Sequence, residues 1–280
     1  MFGFLPHNLF SNHVGQNTSC LSPRLWSRVS GTMMASDGDK RLVLAGDDFT
    51  TVGFPAGYLS GAGETGYLSY IDTGGTITGL SDEKGGVIAL TSDGTDEDEI
   101  WLSSGAGALG TISDTAGDDH LTAFECRVKF GSIAAAEMTS FIGLATPGAA
   151  AERVVDATGV LKTDDAFIGL TSPLLLSNTL DFSYQAASQT LTQVIDEVQV
   201  PVADTFIKFG FVYDPNAPTA RRITAYLNNE EQSTYVTGTQ IAAATFPDAE
   251  PLAFLAGFKN TTAAATEMAI DWWAFAQVIT

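Results

Sequence analysis

Short stretches in which apolar and polar residues alternate make up most of the chain after Gly86. Within residues 121–130, for example, Phe124, Cys126 and Val128 alternate with more polar positions. Successive side chains of a strand point to opposite faces, so this period of two predicts a strand with one face against a core. Comparable segments separated by turn residues occur at 87–91, 99–103, 141–147, 167–173, 179–184, 190–194, 205–213, 222–229, 252–258 and 267–279. Ten or more short strands at this spacing predict an all-β fold, an antiparallel β-sandwich or jelly roll.

One heptad occurs almost twice. The segment Phe141-Ile-Gly-Leu-Ala-Thr-Pro is followed, 26 residues later, by Phe167-Ile-Gly-Leu-Thr-Ser-Pro. Each copy ends at a proline, which lacks the N–H that a sheet requires and so closes a strand. We therefore expect two strands of related position in one sandwich, because two copies are too few for a solenoid or a propeller.

The chain divides into three regions by composition. Residues 1–36 contain no Asp or Glu, residues 37–85 form a connecting region of short strands and turns, and residues 86–280 form the jelly-roll domain. The apolar residues of the first region follow neither a helical nor a strand period. We therefore predict an extended N-terminal arm that lies on another surface, or a strap across its own domain. The predicted contact residues of this arm are Phe2, Phe4, Leu9, Phe10, Arg24, Trp26 and Arg28.

Charge excludes several classes of partner. The chain has 33 Asp and Glu against 13 Lys and Arg, a formal net charge of −20. Such a chain repels the phosphates of nucleic acids and anionic membrane surfaces.

The first residues lack the basic and apolar regions of a signal peptide, so we expect synthesis in a host cytoplasm. Cys20 and Cys126 do not make a disulfide framework, and whether they pair stays open.

The segment 205–280 resembles the second half of concanavalin A-like, or laminin-G-like, jelly rolls. An apolar strand, a strand ending in Leu227-Asn-Asn, and a closing strand with Asp271 beside Trp272 and Trp273 carry this resemblance. It extends to residues 86–280 at the level of strand order and implies two curved antiparallel sheets. Members of that family include glycan-binding lectins, glucanases and structural modules. The acidic body and acid-free start also resemble the auxiliary head proteins of tailed bacteriophages.

The residues that catalysis by related folds would require are missing. Retaining glucanases of the jelly-roll class carry Glu-x-Asp-x-Glu on one strand, which places the carboxylates on one concave face. This sequence has no such string on a predicted strand, because Glu97-Asp98-Glu99 lies in an acidic turn. Gly-x-Ser-x-Gly and Cys-x-x-Cys are also absent. We therefore predict that the chain is not an enzyme and has no cofactor.

Two features leave a choice between binding and structure. The weak calcium candidates Asp93, Asp96 and Asp98 lie in a turn rich in oxygen ligands, but they lack the spacing of an EF-hand and equally fit a solvated acidic turn. Trp272 and Trp273 are adjacent and should point to opposite faces of a strand. One indole is expected in the core, and the other could stack on a sugar or pack under the N-terminal region.

Together these features favour a structural virion protein, a decoration or cement protein on the capsid surface of a phage head. Its expected partners are the major capsid protein and copies of itself, in a homo-oligomer such as a trimer, because repeated weak contacts add up. The alternative is a glycan-binding module of a phage tail or an adhesin. A glycoside hydrolase ranks last, since its carboxylates are missing.

Overall fold

In the computed structural model the chain forms an antiparallel sandwich of two sheets, as the alternation predicted. The structure describes residues 21–34, 41–49, 67–72, 74–80, 86–131, 138–172 and 179–279. Its elements are α1 (Pro23–Met34), β1 (Arg41–Asp47), β2 (Leu68–Ile71), β3 (Thr76–Leu80), β4 (Val87–Thr91), β5 (Glu99–Ser103), β6 (Leu121–Phe130), β7 (Met138–Ala145), β8 (Phe167–Thr171), β9 (Leu180–Gln185), β10 (Thr192–Gln199), β11 (Ile207–Tyr213), β12 (Ile223–Leu227), β13 (Glu230–Val236), α2 (Gly238–Ile241), β14 (Ala253–Asn260) and β15 (Glu267–Ile279). Two short 3-10 helices lie at Ala149–Ala151 and Thr219–Arg221.

Sheet I has the strand order β13-β12-β11-β6-β15-β4-β3, and β1 also pairs with β15. The long strand β15 makes this possible, because Glu267 to Ile270 pair with β4 and Trp273 to Ile279 pair with β1. Sheet II has the order β10-β9-β8-β7-β14-β5-β2. Strands β1, β2 and β3 come from the region 37–85, so this predicted connecting region supplies strands to both sheets of the sandwich.

A β-bulge sets which aromatic side chains of β15 enter the core. The pairing of β15 with β6 shifts between Ile270 and Trp272, which leaves Asp271 as the extra residue. Ile270 and Trp273 therefore both face the core between the sheets, while Trp272 faces outward from sheet I. The outward Asp271 pairs with Arg127 of β6.

The prediction of an extended N-terminal segment is wrong for residues 23–34, which form helix α1. Pro23 suits the first turn, because the N–H that proline lacks has no partner there in any helix. The helix buries Leu25, Trp26 and Val29 against the outer face of sheet I. This matches the second alternative, a strap across its own domain. No helix of the described ranges is long and apolar enough to cross a membrane.

The repeated heptad forms two neighbouring strands, because β7 pairs directly with β8 and Gly143 lies opposite Gly169. A Cβ on Gly143 would lie 2.3 Å from the carbonyl oxygen of Ile168 and 3.0 Å from the Phe141 ring. The glycines thus leave room for the rings of Phe141 and Phe167, which contact each other edge to face on the outer side of sheet II. The repeat is explained by this packing of large rings beside small residues.

Gly257 of β14 serves the same purpose for Trp101, and we expect Gly257→Ala to destabilise the protein by about 1–3 kcal/mol. The new Cβ would lie 2.2 Å from the Ile100 carbonyl oxygen and 2.5 Å from Cε3 of Trp101. Urea unfolding measures the change. Gly79→Ala on β3 is the matched control, because nothing lies within 4 Å of its Cβ position. Equal stability of the two variants would contradict this packing.

Candidate functional site

Residues 146–166, here called the cover, lie across part of the outer face of sheet II. Apolar residues of the cover pack onto apolar residues of the strands beneath, and none of the residues in this cluster is exposed. The cluster contains Ala149, Ala150, Val154, Val155 and Leu161 from the cover and Leu68, Trp101, Phe141, Ala145, Phe167 and Leu255 from the sheet. A second apolar layer therefore closes this part of sheet II to solvent.

A buried carboxylate fixes the cover to the sheet. Oε2 of Glu99 accepts hydrogen bonds from the backbone N–H groups of Val154 and Val155, at 3.0 and 3.2 Å, and from the indole N–H of Trp101 at 2.8 Å. Glu99 has no exposed surface, and burial raises the pKa of its carboxyl group. Its other oxygen, Oε1, lies 3.7 Å from the guanidinium of Arg153. Glu99 is therefore a structural residue beneath the cover, and a substrate has no path to its carboxylate.

A groove remains open where the cover ends, over strands β7 to β10. Its volume is about 220 Å³. Six of the nine described residues that line it are polar, but most of the surface that they expose in the groove is apolar. All but Val160 and Gln193 are buried or half-buried. They are Thr139, Val160, Leu161, Thr171, Ser172, Asp181, Ser183, Leu191 and Gln193. Residues 173–178, which join β8 to β9, lie outside the described ranges.

Hydroxyl groups form the floor of the groove. The hydroxyls of Thr171 on β8 and Ser183 on β9 lie 3.1 Å apart and share a hydrogen bond. Thr139 of β7 donates to the carbonyl oxygen of Gly159 in the cover, at 3.0 Å. Thr171 and Ser183 are nearly fully buried, so their hydroxyls keep fixed positions in the groove.

Asp181 of β9 is the charged residue of the groove, and its side chain organises the neighbouring edge strand. Its Oδ1 accepts the backbone N–H of Glu197 at 2.8 Å, and its Oδ2 accepts from the side-chain amide of Gln193. Strand β10 bulges between these two residues, and Glu197 takes a left-handed conformation with φ 50°. Burial raises the pKa of Asp181, and the nearby charges of Asp196 and Glu197 raise it further.

Sequence reasoning missed this groove. Its residues come from four strands and the cover, and none forms a motif along the chain. The available signal was Asp181, an acidic residue between Leu180 and Phe182 in a predicted strand.

Part of the outer face of sheet I is covered by α1 in a similar way. Oε2 of the buried Glu125 accepts the backbone N–H of Ser22 at 2.9 Å and the indole N–H of Trp26 at 2.8 Å. Burial also raises the pKa of Glu125. Trp26 is therefore buried against its own domain, and whether it also contacts a partner stays a prediction.

The other predicted arm residues have different outcomes. Arg24 is exposed and pairs with Glu230 at 3.2 Å, and Arg28 lies 4.0 Å from Asp214, so both contact acids of their own domain. Whether they also contact a partner stays a prediction. The remaining predicted residues, Phe2, Phe4, Leu9 and Phe10, lie outside the described residues.

The two adjacent tryptophans are both buried, at 2% exposure for Trp272 and 4% for Trp273. Trp272 packs beneath α1, whereas Trp273 lies in the core and stacks on Phe254 with the ring centres 4.6 Å apart. The indole N–H of Trp273 donates to the Tyr67 hydroxyl at 2.8 Å. Their opposite orientation agrees with the prediction, but neither ring is exposed enough to stack on a sugar.

The acidic turn between β4 and β5 holds the calcium candidates. Asp96 is exposed, whereas the Asp98 side chain is buried and shares a hydrogen bond with Asp93. Burial, then the contact with Asp93, raises the pKa of Asp98 to about 6, and the same hydrogen bond lowers the pKa of Asp93. Among the described residues no group of three or more Asp, Glu, His or Cys side chains is arranged to hold a metal ion.

Comparisons with known proteins show the fold. No protein-family model and no curated protein matches the chain. A Shewanella oneidensis MR-1 protein of unknown function superposes with a TM-score of 0.55 at 13% identity, covering 95% of this chain and 98% of the other. Peanut lectin superposes with a TM-score of 0.54 at 15% identity, covering 86% and 99%. The Emp47p carbohydrate recognition domain gives 0.53 at 9% identity, covering 83% and 94%. The chain therefore has the concanavalin A-like jelly-roll fold.

The raised pKa of Asp98 predicts a pH-dependent effect of Asp98→Asn. Because the folded pKa of about 6 lies above the ordinary value of 3.8, the native state favours the protonated acid. The stability that the protonated Asp98 contributes is fully present below about pH 4 and is lost as the pH rises through about 6. We therefore expect Asp98→Asn to raise the free energy of unfolding at pH 8 by about 1–2 kcal/mol more than it does at pH 4. Urea unfolding at both pH values measures this, with the exposed Asp96→Asn as control. A pH-independent effect of Asp98→Asn would contradict the assignment.

Proposed function

We propose that this chain is a carbohydrate-binding protein without catalytic activity, and that it binds sugars in the groove over β7 to β10. The observation that carries the proposal is the groove itself, an open depression beside the cover that is lined by hydroxyls, one carboxylate and apolar side chains. Two proteins that share the fold, peanut lectin and the Emp47p carbohydrate recognition domain, are by their names a lectin and a carbohydrate-binding domain, which supports the proposal.

The chemistry of the groove suits a sugar. Thr171 and Ser183 offer hydroxyls that both donate and accept, and the Asp181 carboxylate accepts hydrogen bonds from sugar hydroxyls. Leu191 and Val160 supply apolar walls for the C–H faces of a pyranose ring. The volume of about 220 Å³ is below the roughly 300–1,000 Å³ of pockets for drug-sized ligands. We therefore expect one terminal sugar residue to be bound rather than an extended chain.

The positions of the acidic side chains argue against a glycosidase. Asp181 on β9 and Glu99 on β5 both belong to the outer face of sheet II, but strands β8, β7 and β14 lie between them. At about 4.8 Å per strand this is a separation of roughly 19 Å. Glycosidases place their two carboxyl groups about 5–10 Å apart. In addition, Glu99 lies wholly beneath the cover.

The proposal is tested on a glycan array, followed by calorimetry with the best ligand, with and without calcium. We expect Thr171→Val, which removes one floor hydroxyl at nearly constant shape, to weaken binding about 3–10-fold. Thr78→Val, at an exposed site on β3 of the other sheet, is the control and should bind like the unmodified protein. Absence of any glycan ligand would reject this function, and equal affinity of the two variants would reject the groove as the place where the glycan binds.

A second candidate is a structural virion protein on a capsid surface, and the charge division favours it. All 33 acidic residues follow residue 36, so an acid-free N-terminal region precedes a strongly acidic body. Such a region can dock on an acidic neighbour, a capsid protein or another copy of this chain, while the body stays soluble. Because α1 packs on its own sheet, this role would fall mainly to residues 1–20.

Cosedimentation with virions of the virus that encodes this chain tests the second candidate function, a structural protein on the capsid surface. Full-length protein should sediment with the particles, and a variant that lacks residues 1–20 should stay in the supernatant while it remains folded by circular dichroism. This truncation keeps α1 and its contacts with Glu125. Particles that retain the truncated protein, or that bind neither form, would contradict a docking arm.

A further inference from the structure

We propose that the groove over β7 to β10 selects glycans that carry a free amino group, such as an unacetylated amino sugar, and that the Asp181 carboxylate binds that group. This inference rests on the proposed function and specifies its ligand class.

Asp181 retains capacity for a ligand. The residue is 2% exposed and lines the groove, so its carboxylate is held in place and partly removed from water. Each of its oxygens accepts one hydrogen bond, from Glu197 and Gln193 respectively. An ionised carboxylate offers about four acceptor positions, so an ammonium group entering the groove would find acceptors unused by the protein.

The surroundings of Asp181 add negative charge. The bulge of β10 brings Asp196 and Glu197 close enough to raise the pKa of Asp181 by repulsion. None of the described residues that line the groove is Lys, Arg or His. Residues 173–178, which follow Ser172 in the chain, contain no charged residue in the sequence. A cationic ligand therefore meets uncompensated negative charge, whereas a uronate or another acidic sugar meets repulsion.

A purely structural role for Asp181 predicts something different. If the carboxylate only holds the bulge of β10, Asp181→Asn would change stability or affinity for all sugars alike. If it reads an ammonium group, the variant loses the preference between two sugars that differ only in charge. The ratio of two affinities separates the roles, because a general loss of binding cancels in it.

The probes are the glucosamine trimer, its fully N-acetylated counterpart and a uronic acid trimer, titrated by calorimetry at pH 7 in low salt. We expect the free amine to bind at least tenfold more tightly than the N-acetylated form, and the uronate to bind least. Asp181→Asn should reduce the amine preference to below threefold. Asp118→Asn, an exposed acid on the loop before β6, removes the same charge elsewhere and should leave the preference unchanged.

The outcomes separate this inference from the proposed function. If neutral glycans bind and the amine has no advantage, the amine selectivity is wrong and carbohydrate binding stands. If no glycan of any charge binds, both are wrong. If Asp181→Asn does not fold, Asp196→Asn replaces it, because that change removes a neighbouring charge without removing the acceptor of the Glu197 N–H. A preference unchanged in that variant would then contradict the electrostatic basis.

Discussion

Two buried glutamates hold the outer layers of this molecule in place. Glu99 on sheet II accepts two backbone N–H groups from the segment that crosses its sheet, and Glu125 on sheet I accepts one. Each also accepts an indole N–H. Burying a carboxylate costs free energy, and hydrogen bonds to the ionised group offset that cost only while the covering segment stays in position. Removal of either segment would expose a face rich in aromatic and aliphatic side chains.

This arrangement limits where the proposed sugar site can lie. A two-sheet sandwich has two outer faces, and here α1 covers part of one and residues 146–166 cover part of the other. The groove over β7 to β10 lies beside the cover, at the edge where a bulge of β10 turns backbone toward Asp181. The proposed sugar site therefore lies where the cover ends. Trp272 and Trp273, which the sequence offered for stacking on a sugar, pack inside the protein instead.

The sequence predicts most strands because the period of two follows from the geometry of a strand and depends little on the rest of the fold. It also predicts the opposite orientation of Trp272 and Trp273, although the bulge at Asp271 that aligns Trp273 with Ile270 has no signal in the sequence. Helix α1 was missed because only Leu25, Trp26 and Val29 mark its apolar face, and a polar glycine-containing stretch follows them. Three apolar positions are too few to define a helical period, and the partner of this face is a distant sheet.

The groove could not be predicted, since its walls come from four strands and the cover and its residues are of types common on any surface. Only the pairing of β7, β8, β9 and β10 brings Thr139, Thr171, Asp181 and Gln193 together. Glu99 and Glu125 were visible as acids within apolar strands. A buried acid indicates that donors must lie nearby, but the sequence did not show that these donors belong to covering segments.

Native-state hydrogen exchange on the unmodified protein tests the central claim most directly. If the two glutamates hold the covering segments, the backbone N–H groups of Val154, Val155 and Ser22 should exchange about as slowly as the central strands β6 and β7, because they open only when the domain unfolds. Rapid exchange at these three positions, with the strands still protected, would show that the covers open independently. The surface beneath the covering segments would then also be open to ligands, and the argument that confines the proposed sugar site to the groove would be wrong.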